Sequence, residues 1–284
     1  MSTQNVLVTG SDGHIGQATV EELQQHNYTV TPADISPRRN WGTQIVDFED
    51  LGQVIGVMQG HDAVIHLAAI PSPVRHTAEV VFCNNVITTF NVLEAATILG
   101  IKNVVIASSL SALGYAYSHR HFNPVTIPID ETHPLLSQDT YGLSKMIGEE
   151  LAEGFVRRTP DMAVVSLRFT WVVGESQREV AKQLNVDSDN YDPIGAFWTY
   201  VDVRDAAWSC RLSMEHNTAG HEAFYISAPN IYHKKPIQEL LEICYPGEYP
   251  IDASYTGDRS VVDCSKAERM LGWQARYNWD GSDL

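Results

Sequence analysis

The sequence predicts an α/β fold, a doubly wound parallel sheet with a small C-terminal subdomain, from three observations. Short Val- and Ile-rich runs alternate with longer helical patterns through the first two-thirds of the chain. A glycine turn follows the first of these runs directly. Beyond Gly174 the alternation gives way to short helical patterns among Pro and Gly turns. The runs Asn5–Thr9, Tyr28–Ala33, Ala63–Leu67, Asn103–Ala107 and Ala163–Arg168 are apolar at nearly every position, as strands covered on both faces require. Between them Ile15–His26, Asp50–Met58, Val80–Leu99 and Tyr141–Arg157 read as helices, so the units are βαβ. Residues 1–174, completed by about 197–216, are expected to form the sheet domain. Residues 175–196 and 217–284 are expected to form a lobe that closes a cleft over the sheet's carboxyl edge. In that tail Glu175–Ala196 reads as polar and irregular, Val203–His216 as a helix, and Ile231–Ile243 and Ser265–Leu271 as short helices.

Nineteen basic against thirty-five acidic residues give a formal charge of −16 over 284 residues. Such a surface repels phosphate backbones and anionic headgroups, which argues against nucleic-acid and membrane partners. The four cysteines lie far apart with no CxxC pair, consistent with reduced thiols in the cytoplasm. No basic-then-apolar leader opens the chain, and no apolar run approaches the roughly 18 residues of a membrane span. A cytoplasmic protein is expected. The histidines His76, His119, His121 and His133 form no pair at metal-ligand spacing beside a carboxylate, so no metal is expected.

Thr9-Gly10-Ser11-Asp12-Gly13-His14-Ile15-Gly16 joins the first strand to the first helix. Glycines there let the backbone approach a pyrophosphate, which sits on free N–H groups at the helix N-terminus. This is a Rossmann-type turn. Asp34 ends the second strand, where a carboxylate accepts from a ribose 2′-hydroxyl and repels a 2′-phosphate, favouring NAD over NADP. Arg38 and Arg39 just beyond it are the competing feature, able to reach a 2′-phosphate.

Tyr141 and Lys145 stand four residues apart on one helix face. A free tyrosine has a pKa of about 10 and is a poor base at neutral pH. A lysine cation beside it is expected to favour the phenolate and make Tyr141 a general acid/base. Ser108 and Ser109 end the fourth strand, where a hydroxyl can orient a reacting oxygen toward the tyrosine.

These motifs together resemble the extended short-chain dehydrogenases/reductases, also called NAD-dependent epimerase/dehydratases, from about Asn5 to Trp273. The resemblance rests on the glycine turn, Asp34, Asp47-Phe48, His66-Leu67-Ala68-Ala69, Asn85-Val86 and Asn91-Val92-Leu93-Glu94-Ala95-Ala96. Ser109, Tyr141 with Lys145, Leu167-Arg168 and Ser265–Trp273 complete it. It implies a catalytic Ser109, Tyr141 and Lys145, with Lys145 also holding the ribose. It implies NAD contacts at Gly10, Asp12, Gly13, His14, Ile15, Gly16, Asp34, Asp47, Phe48, Leu67, Ala68, Ala69, Asn85, Ser108, Tyr141, Lys145 and Phe169. It also implies a homodimer built from Val80–Leu99 and Tyr141–Arg157 of two copies.

Within the family, dehydratases carry an acidic pair after the residue matching Ser109, where this chain has Leu110 and Ser111. Epimerases grip a nucleotide diphosphate with an Asn and two arginines. Trp171, Trp198 and Ser254-Tyr255 occupy those places here. A small sugar, sugar acid or polyol acid fits better, and the Ser108–Tyr115 stretch loosely resembles uronate dehydrogenases. Ser72, Ser111, Trp171 and Arg178 are the candidate substrate contacts, with Arg178 expected to hold a carboxylate; Arg75 and His76 are further cations near the cleft, and Trp171 and Trp198 read as core or as stacking platforms. A nucleotide-sugar 4-epimerase with tightly bound NAD is the alternative reading. A non-enzymatic NAD sensor is more remote, since such proteins lose the tyrosine or lysine that this chain keeps.

Overall fold

A computed structural model describes residues 4–37, 42–187 and 195–284. Its strands are β1 (Asn5–Thr9), β2 (Thr29–Asp34), β3 (Gln44–Ile45), β4 (Ala63–His66), β5 (Asn103–Ser109), β6 (Ala163–Phe169), β7 (Trp171–Val173), β8 (Tyr200–Asp202) and β9 (Gly220–Ile226). Its α-helices are α1 (His14–Gln25), α2 (Leu51–Met58), α3 (Ala78–Leu99), α4 (Thr140–Arg158), α5 (Glu175–Asp187), α6 (Val203–Glu215), α7 (Ile237–Cys244) and α8 (Ser265–Leu271). Seven strands form one parallel sheet in the order β3-β2-β1-β4-β5-β6-β9, and β7 pairs with β8 beside it.

Alternation along each strand divides the core. Val6, Val8, Ile65, Val105, Val165 and Leu167 face α1, α6 and α8. Leu7, Val64, Val104, Ile106 and Val164 face α2, α3 and α4. The strand order reverses between β1 and β4, so a crevice opens at their carboxyl ends, where open α/β sheets bind ligands. A third core of Trp198, Tyr200, Phe197, Tyr232, Tyr245 and Tyr255 lies beyond those ends.

Three sequence expectations change. Gly220–Ile226, expected inside the C-terminal lobe, is the seventh strand of the sheet, paired along its whole length with β6. Glu175–Asp187 is helical, not irregular: its residues are polar but good helix formers, and the Gln177 side chain accepts from the Gly174 N–H at 3.2 Å, a capping contact. The helix expected from Ile231 begins only at Ile237. Pro236 precedes it, while Tyr232 donates its N–H to the Trp198 carbonyl at 3.1 Å.

Behind the crevice lies a buried ion pair. Arg168 on β6 donates from Nε and Nη2 to the two oxygens of Glu149 on α4, at 2.9 and 2.7 Å. The Ser108 hydroxyl on β5 donates to the same carboxylate at 2.6 Å. Removing one partner strands the other charge in the core. Glu149→Ala is therefore expected to cost about 3–5 kcal/mol of stability in urea melts, whereas replacing both charges by Leu and Met costs far less. An unchanged melting midpoint for the single variant would refute this.

Candidate active site

The glycine turn is shaped for close approach. Gly10 lies at φ +64°, and a Cβ there would stand 2.6 Å from the Ala68 nitrogen. A Cβ on Gly16 would collide with the Gly10 carbonyl. Helix α1 starts at His14 with Gly13 as its cap and no side chain bonded to its first amides, leaving them to an anion. Asp34 ends β2, with its two oxygens accepting from the backbone N–H groups of Asp12 (3.1 Å) and Ser36 (3.0 Å). Each oxygen keeps a lone pair for a further donor.

Cavities open on either side of this turn and share Gly10, Gly13, His14, Leu67, Ala69 and Pro71 in their walls. One, of 560 Å³, carries Asp12, Asp34, Asp47, Phe48 and Ala68; the other, of 340 Å³, carries Ile15, Gly16, Ser108, Ser109, Ser111, Tyr141, Lys145, Phe169 and Trp171. A glycine cradle between two halves, with a carboxylate in one and titratable hydroxyls in the other, fits a dinucleotide. The adenosine end would lie toward Asp34 and the reactive ring toward Tyr141.

Helix α4 begins with Asp139, whose Oδ1 accepts from the N–H groups of Tyr141 and Gly142, both at 2.9 Å. That cap fixes Tyr141 at the helix mouth, and Lys145 lies one turn deeper. Lys145 donates to the Ala107 carbonyl at 2.8 Å, and its Nζ stands 5.6 Å from the Tyr141 ring centre. Burial lowers the Lys145 pKa to about 8. Burial also pushes Tyr141 up to about 12, against the pull of a Ser109 hydrogen bond. Burial thus moves Tyr141 in the direction opposite to the lowering expected from Lys145.

Several candidates are held in place by the fold itself. Asn85 touches neither cavity. Its amide bonds the Ile70 N–H (2.8 Å), the Ile70 carbonyl (3.1 Å) and the Ser144 hydroxyl (3.1 Å), so it fastens the loop after β4 to α4. Ser72 lies on neither cavity wall. Arg178 is also absent from both walls. Its Nη2 donates at 3.1 Å to Asp202, which is fully buried and also binds Arg204 at 2.8 Å. A carboxylate of the protein thus takes the charge expected to meet a substrate acid. Trp198 is fully buried core. Trp171 meets Tyr232 edge-on at 5.2 Å and faces the 340 Å³ cavity. Arg38 and Arg39 lie outside the described residues.

Sequence reasoning missed Tyr117. It lines the cavity with Tyr141 and sits at φ +57°, a left-handed conformation that costs a side-chain-bearing residue about 1–2 kcal/mol. No residue pattern announces such a backbone state. The Glu149–Arg168 pair was also missed, although Glu149 follows Lys145 by one helical turn and Arg168 is the one charged residue of a mainly apolar strand.

Comparison with known proteins agrees with this geometry. Residues 6–226 match the family described as NAD dependent epimerase/dehydratase. The chain is 32% identical over 294 residues to a putative UDP-glucose 4-epimerase of Methanocaldococcus jannaschii, covering 95% of this chain and 92% of that one. It is 29% identical over 204 residues to an L-arabinose 1-dehydrogenase (NAD(P)(+)) of Haloferax volcanii, covering 68% and 76%. A short-chain dehydrogenase/reductase superfamily protein of Agrobacterium tumefaciens, solved with bound NAD, superposes with a TM-score of 0.74 at 24% identity over 98% and 94% of the two chains.

The position of Asp34 yields a binding test. Asp34→Ala is expected to weaken NADH about tenfold and to narrow its advantage over NADPH, read by fluorescence titration of the reduced cofactors. Unchanged affinities for both would remove Asp34 from the ribose site.

Proposed function

The chain belongs to the NAD dependent epimerase/dehydratase family, and from that premise we propose that it oxidises a small neutral sugar at its anomeric carbon. Bound NAD would supply the hydride acceptor and a positively charged ring beside the phenol. Once deprotonated, the Tyr141 oxygen takes the hydroxyl proton as the carbon gives up its hydride, leaving a lactone. The Ser109 hydroxyl orients the reacting oxygen. Lys145, fixed on the Ala107 carbonyl, holds a positive charge near the phenol below about pH 8.

One observation carries the choice of substrate: among the described residues, Lys145 is the single lysine or arginine on the wall of the reacting half of the cleft. Residues 184–194 contribute neither Lys nor Arg to the sequence. A diphosphate or carboxylate placed here would lose its hydration and meet little compensating charge. The pairing of Arg178 with Asp202 supports the same reading, and so does the similarity to an arabinose dehydrogenase. This narrows the sugar-acid alternative to a neutral one.

A panel of aldoses, uronates and UDP-hexoses with NAD tests the proposal. Neutral aldoses are expected to generate NADH absorbance, uronates far less. Tyr141→Phe should lower turnover by at least about 100-fold with NADH affinity retained. Since Tyr141 starts neutral, the oxidation rate should rise with pH below about 8. Interconversion of UDP-hexoses without NADH release would establish the epimerase reading instead.

We further propose a homodimer. Val80, Ile87, Phe90 and Ile98 are exposed on α3, which packs on α4 through the edge-on contact of Phe90 with the buried Phe155 at 5.7 Å, so α3 presents apolar side chains that a second copy could cover. Light scattering at micromolar concentration should give twice the chain mass, and Ile87→Arg should halve it. A monomeric parent protein would exclude this assembly.

A further inference from the structure

Resting on the dehydrogenase reading above, we propose that Tyr117 is a specificity-determining residue: its hydroxyl donates to the substrate oxygen on the carbon beside the one oxidised. The site would thereby distinguish a vicinal diol from a simple alcohol.

The segment after β5 is built to place this phenol. Gly114, at φ +90°, turns the chain where a Cβ would collide with the Leu136 carbonyl. Tyr115 is then locked in the aromatic core, stacked on Phe122 at 4.5 Å and edge-on to Phe197 at 5.0 Å, with its hydroxyl 3.3 Å from His133 Nε2. The Ser118 N–H donates to the Tyr115 carbonyl at 3.4 Å and closes a four-residue turn. Tyr117 is the third residue of that turn, a position where positive φ normally selects Gly or Asn. A tyrosine there keeps a strained backbone that either of those residues would relax. Strain retained at a cavity wall points to a use for the side chain.

The use follows from the hydroxyls present. Ser109, Ser111, Thr170, Tyr117 and Tyr141 are the side-chain hydroxyls, besides Ser108, on that wall. Ser108 is spent on Glu149, and Thr170 on the Ile226 carbonyl at 3.2 Å. Ser109 and Tyr141 serve the reacting oxygen. Among the described residues no hydrogen bond engages the hydroxyl of Tyr117 or of Ser111, so both are open to further substrate oxygens, and of the two it is Tyr117 that the strained turn holds at the wall. Burial and the Asp139 carboxylate push the Tyr117 pKa up, as they do that of Tyr141, and keep Tyr117 a neutral donor.

The experiment compares the parent protein with Tyr117→Phe, which keeps the ring and the turn, on sugars paired with their 2-deoxy analogues: L-arabinose with 2-deoxy-L-ribose, D-glucose with 2-deoxy-D-glucose, and D-galactose with 2-deoxy-D-galactose. The parent should prefer the 2-hydroxy sugar by about tenfold in kcat/KM. The variant should bring that ratio close to one by raising KM for the 2-hydroxy sugar alone, with melting temperature and NADH affinity unchanged. A variant that keeps the parent's ratio overturns the role of Tyr117 while leaving the dehydrogenase reading intact. A parent that oxidises none of these sugars overturns both.

Discussion

The Glu149 carboxylate accepts from Ser108 on β5 and from both ends of the Arg168 fork on β6, so one buried group ties two strands to the helix bearing Tyr141 and Lys145. Parallel strands alone fix where β5 ends, not how α4 is rotated against it. The ion pair supplies that constraint, and the Lys145 bond to the Ala107 carbonyl repeats it one turn earlier. The Asp139 cap sets the third point, at Tyr141 itself. Ser109, at the end of β5, is thereby brought against a phenol from a different element. A buried pair of this kind is weak evidence for net stability, because desolvation offsets most of its attraction. Its value is geometric.

The same economy of charge shapes the cleft. In a chain of formal charge −16, cations near the site are scarce, and the fold commits them elsewhere. Arg168 is spent on Glu149, and Arg178 and Arg204 on the fully buried Asp202. Among the described residues, what remains at the reacting end is one lysine, several hydroxyls and an aromatic wall that includes Trp171 and Tyr117. Such a surface suits an uncharged molecule with many hydroxyl groups: hydroxyls supply direction, aromatic faces supply contact, and no ion must be desolvated. Burial also holds Tyr141 in its neutral form near pH 7.

Much of this was legible in the residues. The apolar runs located five of the seven sheet strands because a strand covered on both faces is apolar at most of its positions. Gly10, Gly16 and Asp34 were legible because the backbone approach they permit leaves a spacing in the sequence. Gly220–Ile226 was not, since its first half is polar at the sheet's edge. Spacing reveals which segment carries the Arg178 charge, not which partner it meets, and the structure pairs it with Asp202, 24 residues later. Tyr117 depends on a backbone angle, which no single residue type at that position discloses.

The central claim is that the cleft performs one net oxidation of a neutral sugar and does not return the hydride to it. The most direct measurement uses an aldose carrying deuterium at the anomeric carbon, incubated with NAD and followed by mass spectrometry of both products. The account predicts deuterium in the reduced cofactor, in an amount equal to the lactone formed. Deuterium retained in the sugar pool, with no reduced cofactor accumulating, would contradict it.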